Sequence, residues 1–101
     1  MKFNKLVRDR IPEIIKNDGK KPIIHVAQGK EYEEALSHKL HEEVNEFLEN
    51  PSVEECADIL EVLHAICALK NVDLEKLEEI RQKKADERGG FKERIILESA
   101  D

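Results

Sequence analysis

The chain has 101 residues and a formal net charge of −6, and charged and hydrophobic residues each make up 40% of it. This length predicts a single domain over residues 1–101. The negative charge argues against binding to a nucleic-acid polymer, because that binding depends on Lys and Arg side chains that neutralise phosphates. The apolar runs are shorter than the roughly 18 residues of a membrane span, and the N-terminus lacks the apolar segment of a signal peptide. We therefore expect a soluble, cytoplasmic protein without a membrane partner.

The first part of the chain predicts a short helix followed by a strand. Asp9 is placed to cap a helix through RIPEIIKND, residues 10–18, and Gly19 is placed to end it. Next comes KPIIHVAQ, residues 21–28, whose apolar run is too short for a helix and whose β-branched residues favour a strand.

The central part of the chain predicts two helices joined by a tight turn. Apolar residues recur at helical spacing over about residues 30–50, and Pro51 stops this second helix. Ser52 then begins a third helix, with Glu55 three residues later as in a capping box, and this helix continues to about Lys70. A turn this short makes the two helices antiparallel neighbours.

The last part of the chain predicts a fourth helix and a second strand. Asp73 is placed to cap LEKLEEIRQKKADER, residues 74–88, and Gly89 closes the helix. The segment FKERIILE, residues 91–98, favours a strand that pairs with residues 21–28. The expected fold is therefore all-α, an antiparallel bundle of about four helices with a small two-stranded β appendage.

The third helix is apolar on two sides. Its two stripes are formed by Val53, Ala57, Leu60, Leu63 and Cys67 and by Ile59, Val62, Ile66 and Leu69. A helix that apolar is enclosed, and a chain of this size has too few other elements to enclose it. We therefore expect a homo-oligomer, a dimer or a tetramer, to complete the bundle.

Four acidic residues interrupt the apolar stripes of the second and third helices. Glu43 and Glu46 lie three residues apart, as do Glu55 and Asp58, so each pair shares one helix surface. The short turn lets the two pairs face each other, and carboxylates in a partly dry cleft stay ionised only beside comparable positive charge. Oxygen ligands of this kind suit Mg²⁺, whereas Zn²⁺ favours His or Cys. The spacing therefore predicts a Mg²⁺ site, with Mn²⁺ as a substitute ion.

A simpler interpretation stays open at this point. Helices rich in Glu usually carry it on a solvated face, and Glu55 has a second explanation as a capping residue.

The acidic motif resembles that of a known family. Glu42-Glu43-Val44-Asn45-Glu46 followed by Glu55-Cys56-Ala57-Asp58 resembles the EExxE…ExxD signature of the MazG-like, all-α nucleotide pyrophosphohydrolase superfamily. The ends of the chain, KLVRDRIPEII and KKADERGGFKERIIL, resemble a small-protein branch often labelled phosphoribosyl-ATP pyrophosphohydrolase-like. The resemblance spans nearly the whole chain.

This resemblance implies an oligomeric helical enzyme that uses Mg²⁺ to hydrolyse a nucleoside triphosphate between its α and β phosphates. The products would be a nucleoside monophosphate and pyrophosphate, and the expected role is cleaning of the nucleotide pool. Carried over by position, the metal ligands are Glu43, Glu46, Glu55 and Asp58. Glu42 matches the adjoining acid of the motif and joins these four as a candidate catalytic residue, while Lys84 and Arg88 match a basic pair that holds substrate phosphates.

Two other functions stay open from the sequence. One is hydrolysis of phosphoribosyl-ATP in histidine synthesis, which is the same chemistry on another nucleotide. The other is a non-catalytic helical interaction module that only binds metal or nucleotide. Base preference is also open, because only eight residues separate Glu46 from Glu55, fewer than in many members of the family.

Overall fold

The computed structural model describes residues 4–101 and shows an all-α chain over that range. The helices are α1 (Ile11–Asn17), α2 (Lys30–Glu49), α3 (Val53–Leu69) and α4 (Leu74–Arg88). The prediction of an all-α fold with four helices is confirmed. Within the described range, no helix combines the length and the apolarity needed to cross a bilayer.

The turn between α2 and α3 follows from three neighbouring residues. The Asn50 N–H donates to the Glu46 carbonyl at 3.0 Å and closes α2. Pro51 then lacks the N–H that a further helical turn needs. The Ser52 hydroxyl oxygen accepts from the Glu55 N–H at 3.1 Å, which confirms the predicted cap of α3.

The helices α2 and α3 pack against each other as an antiparallel hairpin, the only extensive helix–helix contact among the described elements. α2 contributes Leu36 to the buried apolar core, and α3 contributes Val62 and Cys67. The two buried residues of α3 come one from each apolar stripe, but the stripe of Cys67 is only partly covered, since Val53 and Leu60 on it remain 81% and 52% exposed. The hairpin is therefore the rigid unit that positions the candidate site.

The start of α1 differs from the prediction. Arg10 precedes the first helical residue, and neither its side chain nor that of Asp9 caps the helix. The turn is closed by the backbone instead, because the Ile11 N–H donates to the Arg8 carbonyl at 3.0 Å. This bond also ties the backbone of Arg8 to the start of α1.

The turn between α3 and α4 is closed by a Schellman-type arrangement. Asn71 takes the left-handed conformation with φ 58°, and the Val72 N–H donates to the Cys67 carbonyl at 2.8 Å. The Asp73 carboxylate accepts from the Glu75 N–H at 2.9 Å, so the predicted cap of α4 is confirmed. A turn fixed in this way sets the direction of α4, which does not pack extensively on the hairpin.

The predicted β appendage is wrong for the chain as described. Residues 21–28 and 91–98 form no strand. Their apolar side chains lie in water, with Ile23 96% and Ile96 83% exposed. β propensity describes how well a residue fits a half-buried pleated surface, and a single copy of the chain offers these segments no such surface.

Candidate metal centre

Three of the four predicted ligands come together across the hairpin. Glu43 of α2 and Glu55 and Asp58 of α3 each offer a carboxylate oxygen, and these oxygens lie within 4.8 Å of one another. A cation bound at about 2.0–2.5 Å from each oxygen fits between ligands at this spacing. The three residues are called the acidic cluster below.

The acidic cluster contains carboxylate oxygens that are buried without a protein partner. Glu43 is buried, with 6% of its surface exposed. Among the described residues, Glu43 Oε2 and Glu55 Oε2 are both buried without a hydrogen-bond partner. Burying a carboxylate oxygen without compensation is costly, so this position favours a cation. A solvated acidic face does not describe Glu43.

The other two predicted acids lie beside the cluster. Glu46 is exposed, and it follows Glu43 by three residues on the same helix surface. Glu42 pairs with two lysines, with its Oε2 3.4 Å from Lys39 Nζ and its Oε1 3.5 Å from Lys5 Nζ. Glu42 is therefore outside the cluster, whereas Glu46 lies near enough to it for its charge to act on the Glu55 carboxyl.

The charges in this region perturb the acidity of Glu55. Loss of hydration raises the pKa of the Glu55 carboxyl, and repulsion by Glu46, Asp58 and Glu43 raises this pKa further. The ionised form of Glu55 is thus disfavoured in the folded, metal-free protein.

This shift predicts how Glu55→Gln changes stability with pH. The folded pKa lies above the unfolded value of about 4.3, so the wild-type protein loses stability as pH rises through the folded pKa, and the loss persists at neutral pH. Without metal, Glu55→Gln should raise the melting temperature at pH 7.5 by a few degrees, and the gain should shrink on acidification. Thermal unfolding followed by circular dichroism with a chelator measures both, and a gain independent of pH would contradict the assignment. Added Mn²⁺ should reverse the order, because only the wild-type carboxylate binds the ion.

Lys39 is the internal counter-charge of the site, and the sequence interpretation did not single it out. Its Nζ lies 3.3 Å from Glu43 Oε1, and its side chain is only 19% exposed. Loss of hydration lowers the pKa of Lys39, but the hydrogen bond to Glu43 and the charges of Glu42 and Glu43 outweigh it, so the pKa is raised. Lys39 therefore stays charged. The signal for this pair was its spacing of four residues on one helix.

Removing this counter-charge should destabilise the fold. Lys39→Met leaves Glu43 buried beside like charges without a cation, and we expect a loss of about 2 kcal/mol in the free energy of unfolding. Urea unfolding at pH 7.5 without metal measures the loss. Lys30→Met is the matched control, because Lys30 begins α2 and its side chain is 88% exposed. Equal stability of the two variants would show that Lys39 does not compensate Glu43.

Arg8 supplies the second positive charge at the site. Its Nη2 donates to Asp58 Oδ1 at 2.7 Å across 50 residues of sequence. No local sequence pattern predicts a pair at such a separation.

The predicted phosphate-binding pair does not reach the acidic cluster in one copy of the chain. Lys84 and Arg88 are exposed on α4. Within residues 4–101 the cluster forms its ion pairs with Lys39 and Arg8 instead.

The comparisons with known proteins found a relative that matches part of the chain. The chain is 54% identical over 41 residues to an uncharacterized protein of Mycolicibacterium smegmatis (strain ATCC 700084 / mc(2)155). The match covers 41% of this chain and 42% of that protein, so the chain spans less than half the length of the relative it matches. No family model and no solved structure matches the chain.

Proposed function

We propose that the protein is a Mg²⁺-dependent nucleoside triphosphate pyrophosphohydrolase that cleaves between the α and β phosphates. The observation that carries this proposal is the acidic cluster, in which carboxylate oxygens from two helices lie within 4.8 Å of one another. Two carboxylate oxygens of this cluster are buried without a protein partner. The motif resemblance supplies the reaction. Because the nucleoside triphosphates that it would hydrolyse are in the cytoplasm, the proposal also places the protein there.

Each residue of the site has a defined task in this reaction. Glu43, Glu55 and Asp58 hold the divalent cation, and Glu46 completes the set from the same surface of α2. A bound divalent cation would offset the negative charge that gathers on the leaving pyrophosphate. Lys39 keeps Glu43 ionised and oriented through their 3.3 Å contact. A carboxylate that is not saturated by the cation can accept the proton of the attacking water.

A substrate screen tests the proposal directly. Purified protein is offered ordinary and damaged nucleoside triphosphates and phosphoribosyl-ATP with Mg²⁺, and the products are separated by ion-exchange chromatography. The proposal expects nucleoside monophosphate and pyrophosphate in equal amounts. Diphosphate and phosphate as products would contradict it.

The same screen separates the alternatives. Turnover of phosphoribosyl-ATP with little turnover of the triphosphates would place the protein in histidine synthesis. A non-catalytic module would release no pyrophosphate at any Mg²⁺ concentration.

We also propose that a second copy of the chain covers its apolar surface. A compact protein of 11.7 kDa exposes about 5,900 Å², whereas this chain exposes 9589 Å². Its radius of gyration is 18.2 Å, against about 13 Å for a compact domain of this length. Two copies together carry an excess of about 7,400 Å², so an obligate dimer interface of the usual 2,000–5,000 Å² in total would cover a large part of it.

One face of α4 is the central part of this proposed interface. Leu74, Leu77 and Ile80 lie on that face and are 43%, 38% and 44% exposed. Lys84 and Arg88 follow Leu77 by seven and eleven residues, which places them within about 20° of its direction around the helix. A copy that covers the apolar part of this face therefore also meets the two cations.

A further inference from the structure

The two cations that contact the acidic region are held in different ways. The side chain of Lys39 is 19% exposed and that of its partner Glu43 is 8% exposed, so this ion pair is largely enclosed. Arg8 and Asp58 have side chains that are 56% and 37% exposed. An ion pair this open is weak, because water competes for both partners. The Arg8 contact is therefore the one that a competing ion can replace.

A divalent cation and Arg8 compete for the same carboxylate. Arg8 Nη2 lies 2.7 Å from Asp58 Oδ1, and Asp58 also offers an oxygen to the acidic cluster. A doubly charged ion attracts Asp58 more strongly than a guanidinium does and repels the guanidinium itself. Binding of the cation thus weakens the contact between Arg8 and Asp58.

Arg8 cannot move far after this exchange. Its carbonyl accepts from the Ile11 N–H at 3.0 Å, which anchors its backbone at the start of α1. The guanidinium therefore stays within the length of its side chain of the acidic cluster, where an anion can bridge it and the cation. A phosphate fits this position, since Arg binds phosphate oxygens through two parallel N–H donors.

We propose that Arg8 is a phosphate-binding residue whose guanidinium stays paired with Asp58 until a divalent cation occupies the acidic cluster. The freed guanidinium then binds the pyrophosphate part of the ligand. This inference rests on the proposed function only for the identity of the nucleotide. It makes cation binding and phosphate binding cooperative, with Arg8 as the coupling residue.

Two titrations of the full chain test this coupling, with Arg8→Gln against wild type. The first uses Mn²⁺ alone, followed by the paramagnetic resonance signal of the free ion. The second uses inorganic pyrophosphate at saturating Mn²⁺, followed by calorimetry. Arg8→Gln should bind Mn²⁺ about two- to fivefold more tightly, because its competitor is gone. The same variant should bind pyrophosphate about tenfold more weakly. Arg10→Gln is the matched control and should change neither constant, since Arg10 is 87% exposed and pairs with Glu13 of α1.

Each other outcome overturns the inference in a recognisable way. Weaker Mn²⁺ binding by Arg8→Gln would show that Arg8 only orders Asp58. Unchanged pyrophosphate affinity would show that the pair is a surface contact without a ligand role. A wild-type chain that binds no Mn²⁺ would remove the basis of the exchange. Failure of the proposed function can be told apart from these outcomes. In that case both titrations give the expected result, but the wild-type protein hydrolyses no triphosphate with Mg²⁺.

Discussion

Replacing Asp58 by Asn is expected to lower turnover with Mg²⁺ by about 100-fold or more, because a lost cation ligand removes several kcal/mol of stabilisation from the transition state. Asn keeps the shape of the side chain and one oxygen but carries no charge. The neutral side chain also releases Arg8, whose exposed pair with Asp58 adds little to stability. The fold should therefore persist, with a melting temperature equal to or above that of the wild type. Steady-state kinetics and thermal unfolding on the same preparation measure both effects.

The matched control for this variant is Glu54→Gln. Glu54 lies in the first turn of α3 and is exposed, so the change removes one carboxylate from the same helix without touching the cluster. It should leave turnover within about twofold of wild type. Similar losses in both variants would mean that the overall charge of α3 matters and not the ligand at position 58. Near-full activity of Asp58→Asn would remove the acidic cluster from the reaction.

Local signals allowed the helices to be predicted from the sequence. Ser52 and Asp73 both accept from backbone N–H groups two or three residues ahead, so their role depends only on adjacent residues. Pro51 also acts within one turn, because it ends α2 through its own missing N–H. The acids of the cluster could also be predicted from the sequence. One short turn brings α2 and α3 together, and acids three residues apart lie on the same surface of a helix.

The charges around the cluster could not be predicted in the same way. The pair of Arg8 and Asp58 joins residues 50 positions apart, and it forms only if the N-terminal segment packs beside α3. Lys39 had a local signal, but many exposed pairs share that spacing, and only the burial of Glu43 gives this one its importance. The strand prediction for residues 21–28 failed for a related reason. β-branched residues favour a strand only where a surface is present to pack against, and the single chain provides no such surface for these residues.

The second large expected effect concerns the face of α4. Leu77→Glu should dissociate the proposed oligomer, because Leu77 lies at the centre of an apolar row that one copy leaves exposed. Burying a Leu side chain contributes about 1.5–3 kcal/mol, and a two-fold interface buries it twice. Because Leu77 is 38% exposed in one copy, association buries only that fraction of it. The dissociation constant should therefore rise by about ten- to fiftyfold before the cost of burying the new carboxylate is counted. Light scattering should give the wild type a mass at least twice the chain mass of 11.7 kDa, and the variant a mass near that of one chain.

The matched control for this variant is Gln82→Glu, which adds the same charge about 140° away around α4. It should keep the wild-type mass. Loss of the oligomer should also lower stability sharply, because the described part of one copy buries few apolar side chains, namely Leu36, Val62 and Cys67. The mass and the melting temperature should therefore both fall in Leu77→Glu, and both should stay at their wild-type values in Gln82→Glu. A wild-type mass of one chain, or a Leu77→Glu variant that keeps both mass and melting temperature, would show that water covers this face in the native protein.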